Sequence, residues 1–155
     1  MLPQIAAISL VLSQISSPYP EAMIYPFTTA IVINDYRAPE TEYSSGHRGI
    51  DLQGYLDQEV LAPVSGLVSF AGQVGFRELI TIEFGDKKVS LEPVCSTLRE
   101  GQTVTQGQLI GTLCQIATEY NWHCDFCLHF GVRNQQGYLS PELFINGMSP
   151  SRLLP

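Results

Sequence analysis

The sequence predicts a small all-β domain. Helical periodicity, in which apolar residues recur three and four positions apart, is scarce along the 155 residues. Short runs rich in β-branched and aromatic residues are frequent instead, and Gly, Pro and Asp bound most of them. The chain shows no internal repeat or low-complexity tract. These features are typical of a domain built from short strands and tight turns.

Seven strands are predicted from these runs, at residues 31–33, 59–62, 66–71, 79–84, 88–94, 109–113 and 127–133. Gly85, Asp86 and Lys87 are predicted to form a hairpin turn, because Gly and Asp tolerate the left-handed backbone conformations that tight turns need. Ser140 suits a helix cap and Pro141 suits the first helical position, so one short C-terminal helix is predicted.

The composition indicates one compact domain and disfavours two classes of binding partner. A chain of 155 residues with 45% hydrophobic residues can bury a sizeable core. Its net charge is −7, and Lys87 and Lys88 are its two lysines. Nucleic acids and anionic membrane surfaces are bound through clustered positive charge, so this composition disfavours both partners.

The N-terminal segment resembles an export signal. Residues 5–15 are apolar like the core of a signal peptide, and they are too few to span a membrane. The first basic residue is Arg37, however, and no clean Ala-x-Ala cleavage site follows. We expect residues 1–20 to be an export signal or its remnant, followed by one domain at 21–155, in an extracellular or cell-envelope protein. An amphipathic N-terminal helix is the alternative.

Four cysteines agree with export, because an even number suits an oxidising compartment. They are Cys95, Cys114, Cys124 and Cys127. Of the three complete pairings that four cysteines allow, we prefer Cys124–Cys127 together with Cys95–Cys114, which would bridge neighbouring segments. The pair at 124 and 127 could instead bind a metal or act as a redox couple, although no βαβ pattern accompanies it.

Two of the three histidines and one aspartate stand in a pattern that suits zinc. His47 and Asp51 are four residues apart, and His129 lies far downstream. Two imidazoles and one carboxylate form a three-ligand set, which is how catalytic zinc is usually held. A helical ion pair between His47 and Asp51 is the alternative, but Gly46 and Gly49 disfavour a helix there.

Strand alternation predicts the surroundings of His129. Cys127, His129 and Gly131 would share one face of the strand, and the apolar residues between them would share the other. Gly131 would leave open space beside His129. A buried histidine bonded to the backbone is the alternative account of His129.

From about Tyr43 onward the chain resembles the lysostaphin/LytM-type zinc metallopeptidases. Four segments match in order, at 46–52, 60–72, 101–113 and 128–133; the first reads Gly-His-Arg-Gly-Ile-Asp-Leu and the last Leu-His-Phe-Gly-Val-Arg. The resemblance implies a small antiparallel β-sheet or barrel-sandwich-like core and Zn²⁺ bound by His47, Asp51 and His129. It also implies hydrolysis of peptidoglycan cross-link peptides, with a cell-wall or divisome protein as a further candidate partner.

The chain departs from the family at two positions where family members have accessory catalytic histidines, or helper histidines. The family's Tyr-x-His-Leu segment corresponds to 91–94, where Pro93 takes the histidine's place, and the family's other helper histidine corresponds to Cys127. His123 is a candidate replacement as general acid or base, or else an exposed loop imidazole. Glu92 is chemically suitable but is expected to face away. A reduced Cys127 would be a candidate fourth metal ligand, which would make the site structural.

The sequence is compatible with three functions. The first is a secreted zinc metalloendopeptidase, and the second is an inactive relative that binds wall peptides or regulates a partner hydrolase. The third is a carrier domain, because 60–72 and 101–113 also resemble the hairpins of biotinyl and lipoyl folds and Lys87 lies in a turn. Arg48 and Arg133 flank the candidate ligands and are either solvated or available to substrate carboxylates.

Overall fold

The structure, a computed structural model, describes residues 22–41, 43–115, 124 and 126–145. Within these residues the chain forms eleven β-strands and one 3-10 turn, Pro141–Leu143, which confirms the all-β class. The strands are β1 Val32–Asn34, β2 Ile50–Gln53, β3 Glu59–Leu61, β4 Gly66–Val74, β5 Arg77–Phe84, β6 Lys87–Glu92, β7 Val94–Cys95, β8 Thr103–Val104, β9 Leu109–Leu113, β10 Cys127–Asn134 and β11 Gly137–Leu139.

Two antiparallel sheets make up this fold. The larger sheet has the strand order β1-β2-β10-β6-β5-β4-β8, and β11 pairs with β10 beside this path. The smaller sheet has the order β3-β9-β7. Among the described residues, both sheets are open and neither closes into a barrel. Strand β10 is central, because it pairs with β2, β6 and β11.

The larger sheet has an apolar face and a polar face. On β10, Leu128, Phe130 and Val132 are fully buried in a hydrophobic cluster that also takes in residues of the smaller sheet. His129 and Gly131 alternate with them and line a groove on the other face. Since side chains alternate between the two faces of a strand, burying the apolar residues turns the polar ones toward this groove. The predicted alternation is therefore confirmed.

Most predicted strands are present, with boundaries shifted by a few residues. The strand predicted at 88–94 is divided into β6 and β7 at Pro93, which has no backbone N–H to donate to a ladder. Strands β2, β8 and β11 were not predicted. The predicted C-terminal helix is the single 3-10 turn, and the side chain of Ser140 makes no capping hydrogen bond there.

The predicted hairpin turn is also present. Phe84 pairs with Lys87, so Gly85 and Asp86 form a two-residue connection, and Gly85 has a φ of +54°. A positive φ of this kind favours glycine in tight hairpins. Among the described residues there is no helix long and apolar enough to cross a membrane.

Candidate metal centre and groove

The three predicted metal-ligating residues lie together at the junction of β2 and β10. Asp51 on β2 is the register partner of His129 on β10, so both side chains point to the same face. His47 precedes β2 and is held by two backbone hydrogen bonds with Arg37, of 2.9 and 3.0 Å. Each of the three residues offers one potential metal-ligating atom, and these three atoms lie within 4.8 Å of one another.

The carboxylate of Asp51 lies between the two imidazoles. Its Oδ1 is 2.8 Å from His129 Nδ1, and its Oδ2 is 3.1 Å from His47 Nε2. Asp51 is fully buried, whereas the side chains of His47 and His129 are 11% and 15% exposed. The carboxylate is therefore sealed from solvent, and, of these three residues, His129 lines a surface groove.

Hydrogen bonds around Asp51 outweigh the effect of its burial. Burial raises the pKa of this carboxyl, but hydrogen bonds from His129 and Asn34, together with the charges of the two imidazoles, lower the pKa from 3.8 to about 2. Asp51 is consequently an anion at any ordinary pH, which is the form that a metal ligand requires.

Further contacts orient the candidate ligands. His47 Nδ1 is 2.7 Å from the backbone oxygen of Asp35. A carbonyl oxygen accepts only, so Nδ1 carries a proton, and Nε2, which faces Asp51 Oδ2, is the ring atom that a metal ion would use in place of a proton. Asn34 Nδ2 donates to Asp51 Oδ2 at 2.9 Å. Such outer contacts are the usual support of metal-binding histidines and carboxylates, and the donor set of two imidazoles and one carboxylate fits zinc.

Gly49 allows β10 to approach the site closely. A Cβ atom at this position would lie 2.7 Å from His129 Nε2 and would collide with the backbone oxygen of Phe130. Any other residue would therefore displace His129 or open the β2–β10 pairing. The prediction that Gly131 leaves open space beside His129 is wrong, because a Cβ atom at Gly131 would lie 3.3 Å from the backbone oxygen of Arg48 and 3.7 Å from His129 Nε2.

The four cysteines form two disulfides, in the pairing that we preferred. Cys95 on β7 pairs with Cys114 after β9, and Cys124 pairs with Cys127 at the start of β10. The sulfur atoms of the second pair lie within 4.8 Å of a carboxylate oxygen of Asp51. Because Cys127 is oxidised here, it offers no thiolate as a fourth ligand.

The predicted orientation of Glu92 is wrong. We expected it to face away from the site, but Glu92 is the register partner of His129 and lines the same groove. The reason is strand alternation: Val89 and Leu91 are buried in the core, which turns Glu92 toward the other face. The alternating Lys-Val-Ser-Leu-Glu pattern of 88–92 could have revealed this orientation.

A second charged residue accompanies Glu92. Arg77 Nη1 donates to Glu92 Oε1 at 2.9 Å, and the Glu92 side chain is only 14% exposed. Pro93, at the position of a family histidine, is buried and has no ionisable group. His123 lies outside the described residues, so its assignment as a catalytic group stays a prediction.

The groove runs from His129 along the polar face of the larger sheet. It has a volume of about 640 Å³ and is lined by residues of β4, β5, β6, β10 and β11. Thr81 and Ser90 lie on its floor, with their hydroxyls 3.1 Å apart. Arg48 and Arg133 both line it, and the Arg48 guanidinium lies 5.6 Å from the centre of the Tyr138 ring. A groove that opens beside a candidate metal centre is a suitable place for a peptide.

Residues 45–141 match the sequence profile of peptidase family M23. This segment is more than half of the chain, and the protein belongs to that family. An uncharacterized protein of Mycobacterium tuberculosis is 33% identical over 135 residues, which is 80% of this chain and 51% of that protein. The chain thus spans about half the length of this relative.

Two further comparisons agree with the family. The murein hydrolase activator NlpD of Escherichia coli is 31% identical over 122 residues, which is 76% of this chain and 30% of that protein. The structure of Csd3 from Helicobacter pylori superposes with a TM-score of 0.69 at 19% identity, over 86% of this chain and 37% of that one. At this level of identity the similarity to Csd3 shows the fold alone.

Asp51 should make the stability of the metal-free protein depend on acid pH. Because the pKa of Asp51 is lower in the folded protein than its unfolded value of 3.8, the ionised carboxylate stabilises the folded state at pH values above 3.8. This stabilisation is lost as the pH falls toward the folded pKa of about 2. We expect the loss to be on the order of 2 kcal/mol. Urea unfolding of chelator-treated protein between about pH 2 and pH 5 measures it. Asp51→Asn should lack this dependence, and Asp57→Asn, which changes an exposed carboxylate, should retain it; identical profiles would contradict the assignment.

Proposed function

We propose that this protein is a zinc-dependent endopeptidase that acts on peptidoglycan cross-link peptides in the cell envelope. The observation that carries the proposal is the convergence of His47, Asp51 and His129, the last of which lines an open groove. Three protein ligands with a reachable side are the usual arrangement of catalytic zinc. We include export, with residues 1–20 as its signal, in the same proposal.

His47, Asp51 and His129 would hold the metal. When bound, zinc supplies a Lewis acid that polarises a peptide carbonyl and lowers the pKa of a water molecule. Asn34 and Asp35 hold two of the ligands in position through the hydrogen bonds described above. The groove would hold the peptide in an extended conformation along β10, so that the bond to be cleaved lies beside His129.

Glu92 is our candidate for the proton-transferring group. Directly opposed residues on antiparallel strands have Cβ atoms about 4.5–5.5 Å apart, so Glu92 and His129 leave neighbouring strands side by side and on the same face. A carboxylate can accept a proton from the attacking water and return it to the leaving amine. Arg77 fixes the orientation of Glu92 through the contact at 2.9 Å. Glu92, held by Arg77, would thus perform part of the catalytic role that the two helper histidines have in the family.

A second candidate is a protein that binds wall peptides without cleaving them, or that activates a partner hydrolase. Two observations favour it: Pro93 and Cys127 replace the helper histidines, and the relative from Escherichia coli is named a murein hydrolase activator. The carrier domain is disfavoured, because the Lys87 ammonium contacts Asp86 and lies over the Phe144 ring instead of extending from the turn.

Zinc binding should depend on Asn34, although its amide is not one of the three ligands. Without the hydrogen bond from its amide, Asp51 Oδ2 loses an orienting contact, so Asn34→Ala should weaken zinc affinity by about 10–100-fold. Competition with a chromophoric chelator measures this change. Gln53→Ala, an exposed change on the same strand as Asp51, is the matched control. Equal affinities in the two variants would count against the proposed ligand set.

The purified protein should release soluble peptide from cell walls in the presence of zinc. Chelation should abolish the release, and zinc should restore it. His129→Ala should lower the rate to background, because it removes a proposed ligand while the strand that carries it keeps its core contacts. Binding to cell walls without any release, unaffected by the chelator, would favour the non-hydrolytic candidate instead.

Glu92→Gln should lower the turnover number by about 100-fold or more, because the amide cannot accept a proton. Zinc content and KM should change little, since neither depends on this proton transfer. Glu100→Gln, an exposed change outside the groove, serves as the control. If zinc content falls together with activity, Glu92 supports the site structurally and the assignment to proton transfer is wrong.

A further inference from the structure

The groove concentrates positive charge in an acidic protein. Four of the eight Lys and Arg residues line it, whereas Glu92 is the one carboxylate among its described lining residues. The chain as a whole has a net charge of −7. The four cations are Arg48, Arg77, Lys88 and Arg133.

Two of these cations are held by other groups. Arg77 is paired with the largely buried Glu92, and Arg48 contacts the Ser44 backbone oxygen at 3.3 Å and the Tyr138 ring. The charges of Arg77 and Arg48 are therefore in contact with residues of the protein itself. Lys88 and Arg133 lie at the end away from His129, where they also line a neighbouring pocket with Glu83 and Asp86.

Lys88 and Arg133 are direct register partners on β6 and β10. Like charges in this position repel each other and destabilise a sheet. Lys88 has a carboxylate partner, Glu83, at 3.0 Å, but both side chains are more than 40% exposed, and such pairs are weak in water. Arg133 forms no ion pair with a carboxylate of the described residues. Glu83 offsets part of the repulsion between Lys88 and Arg133, and an anion between the two cations would offset more of it.

The position of this pair defines a distance from the candidate metal centre. Arg133 is four residues beyond His129 on the same face of β10, which corresponds to about 14 Å of extended strand. Gly131 lies between them and, like His129 and Arg133, lines the groove. An extended peptide has nearly the same rise per residue, so it would reach the cationic pair about four residues from His129.

We infer that Lys88 and Arg133 form a carboxylate-binding subsite and that the groove takes acidic peptides. The inference rests on the proposed function for the direction of the peptide and names its substrate class. A guanidinium can bind a carboxylate through two parallel hydrogen bonds, and the neighbouring ammonium adds a second charge. The acidic group of the peptide lies about four residues from the position beside His129.

A pair of synthetic peptides tests this subsite without relying on hydrolysis. Both are short, made of Gly and Ala, blocked at both ends and identical except for one Glu or Gln. We expect the zinc-loaded protein to bind the Glu peptide about tenfold or more tightly than the Gln peptide, as measured by NMR titration or calorimetry. Raising the salt concentration should reduce the difference, because the subsite is exposed to solvent.

Arg133→Gln should remove the preference for the Glu peptide, and Arg133→Lys should restore part of it. Arg99→Gln has the same effect on net charge but changes an exposed residue outside the groove, so it should retain the preference. Equal affinity for the two peptides, binding of neither, or the same loss in Arg99→Gln overturns the inference. A protein that prefers the Glu peptide yet releases nothing from cell walls loses the proposed hydrolysis and keeps the subsite.

Discussion

The antiparallel pairing of β2 with β10 determines the rest of the site. It places Asp51 opposite His129, and the same register buries Leu52 and Leu128. A slip by one residue would turn His129 into the core and its apolar neighbours into the groove, so the hydrophobic core fixes the register of the polar residues. Gly49 permits this pairing because it leaves room for the His129 ring.

The residues before the matching motifs contribute more to the site than their sequence indicates. A buried carboxylate is costly unless hydrogen bonds compensate for lost hydration. Asn34, at the end of β1, supplies one of those bonds to Asp51, and the Asp35 backbone oxygen sets the proton position on His47. The short strand β1 is thus an edge strand in the sheet and a structural support of the candidate ligands.

Local patterns predicted β10 well because its alternation is regular and its apolar residues are strongly hydrophobic. Strand β2 was missed, since a buried Asp51 interrupts a short run whose meaning depends on partners far away in the chain. Glu92 was misjudged for a different reason: the comparison with a family motif was given more weight than the alternation of Val89 and Leu91. The cationic pairing of Lys88 with Arg133 could not be predicted, because it arises from the register between strands that lie far apart in sequence.

Hydrolysis and activation of a partner place different demands on the same groove. A binding protein needs the groove and its cationic end, but it has no need for a carboxylate beside the candidate ligands. Glu92 lies in that place, largely shielded from solvent and fixed by Arg77. The acidic group of the proposed peptide would lie about four residues away, at Lys88 and Arg133, so peptide binding makes no use of the Glu92 carboxylate. Substitution of this one side chain therefore separates the two candidate functions, because the proposed hydrolysis requires a proton-accepting group at this position and peptide binding does not.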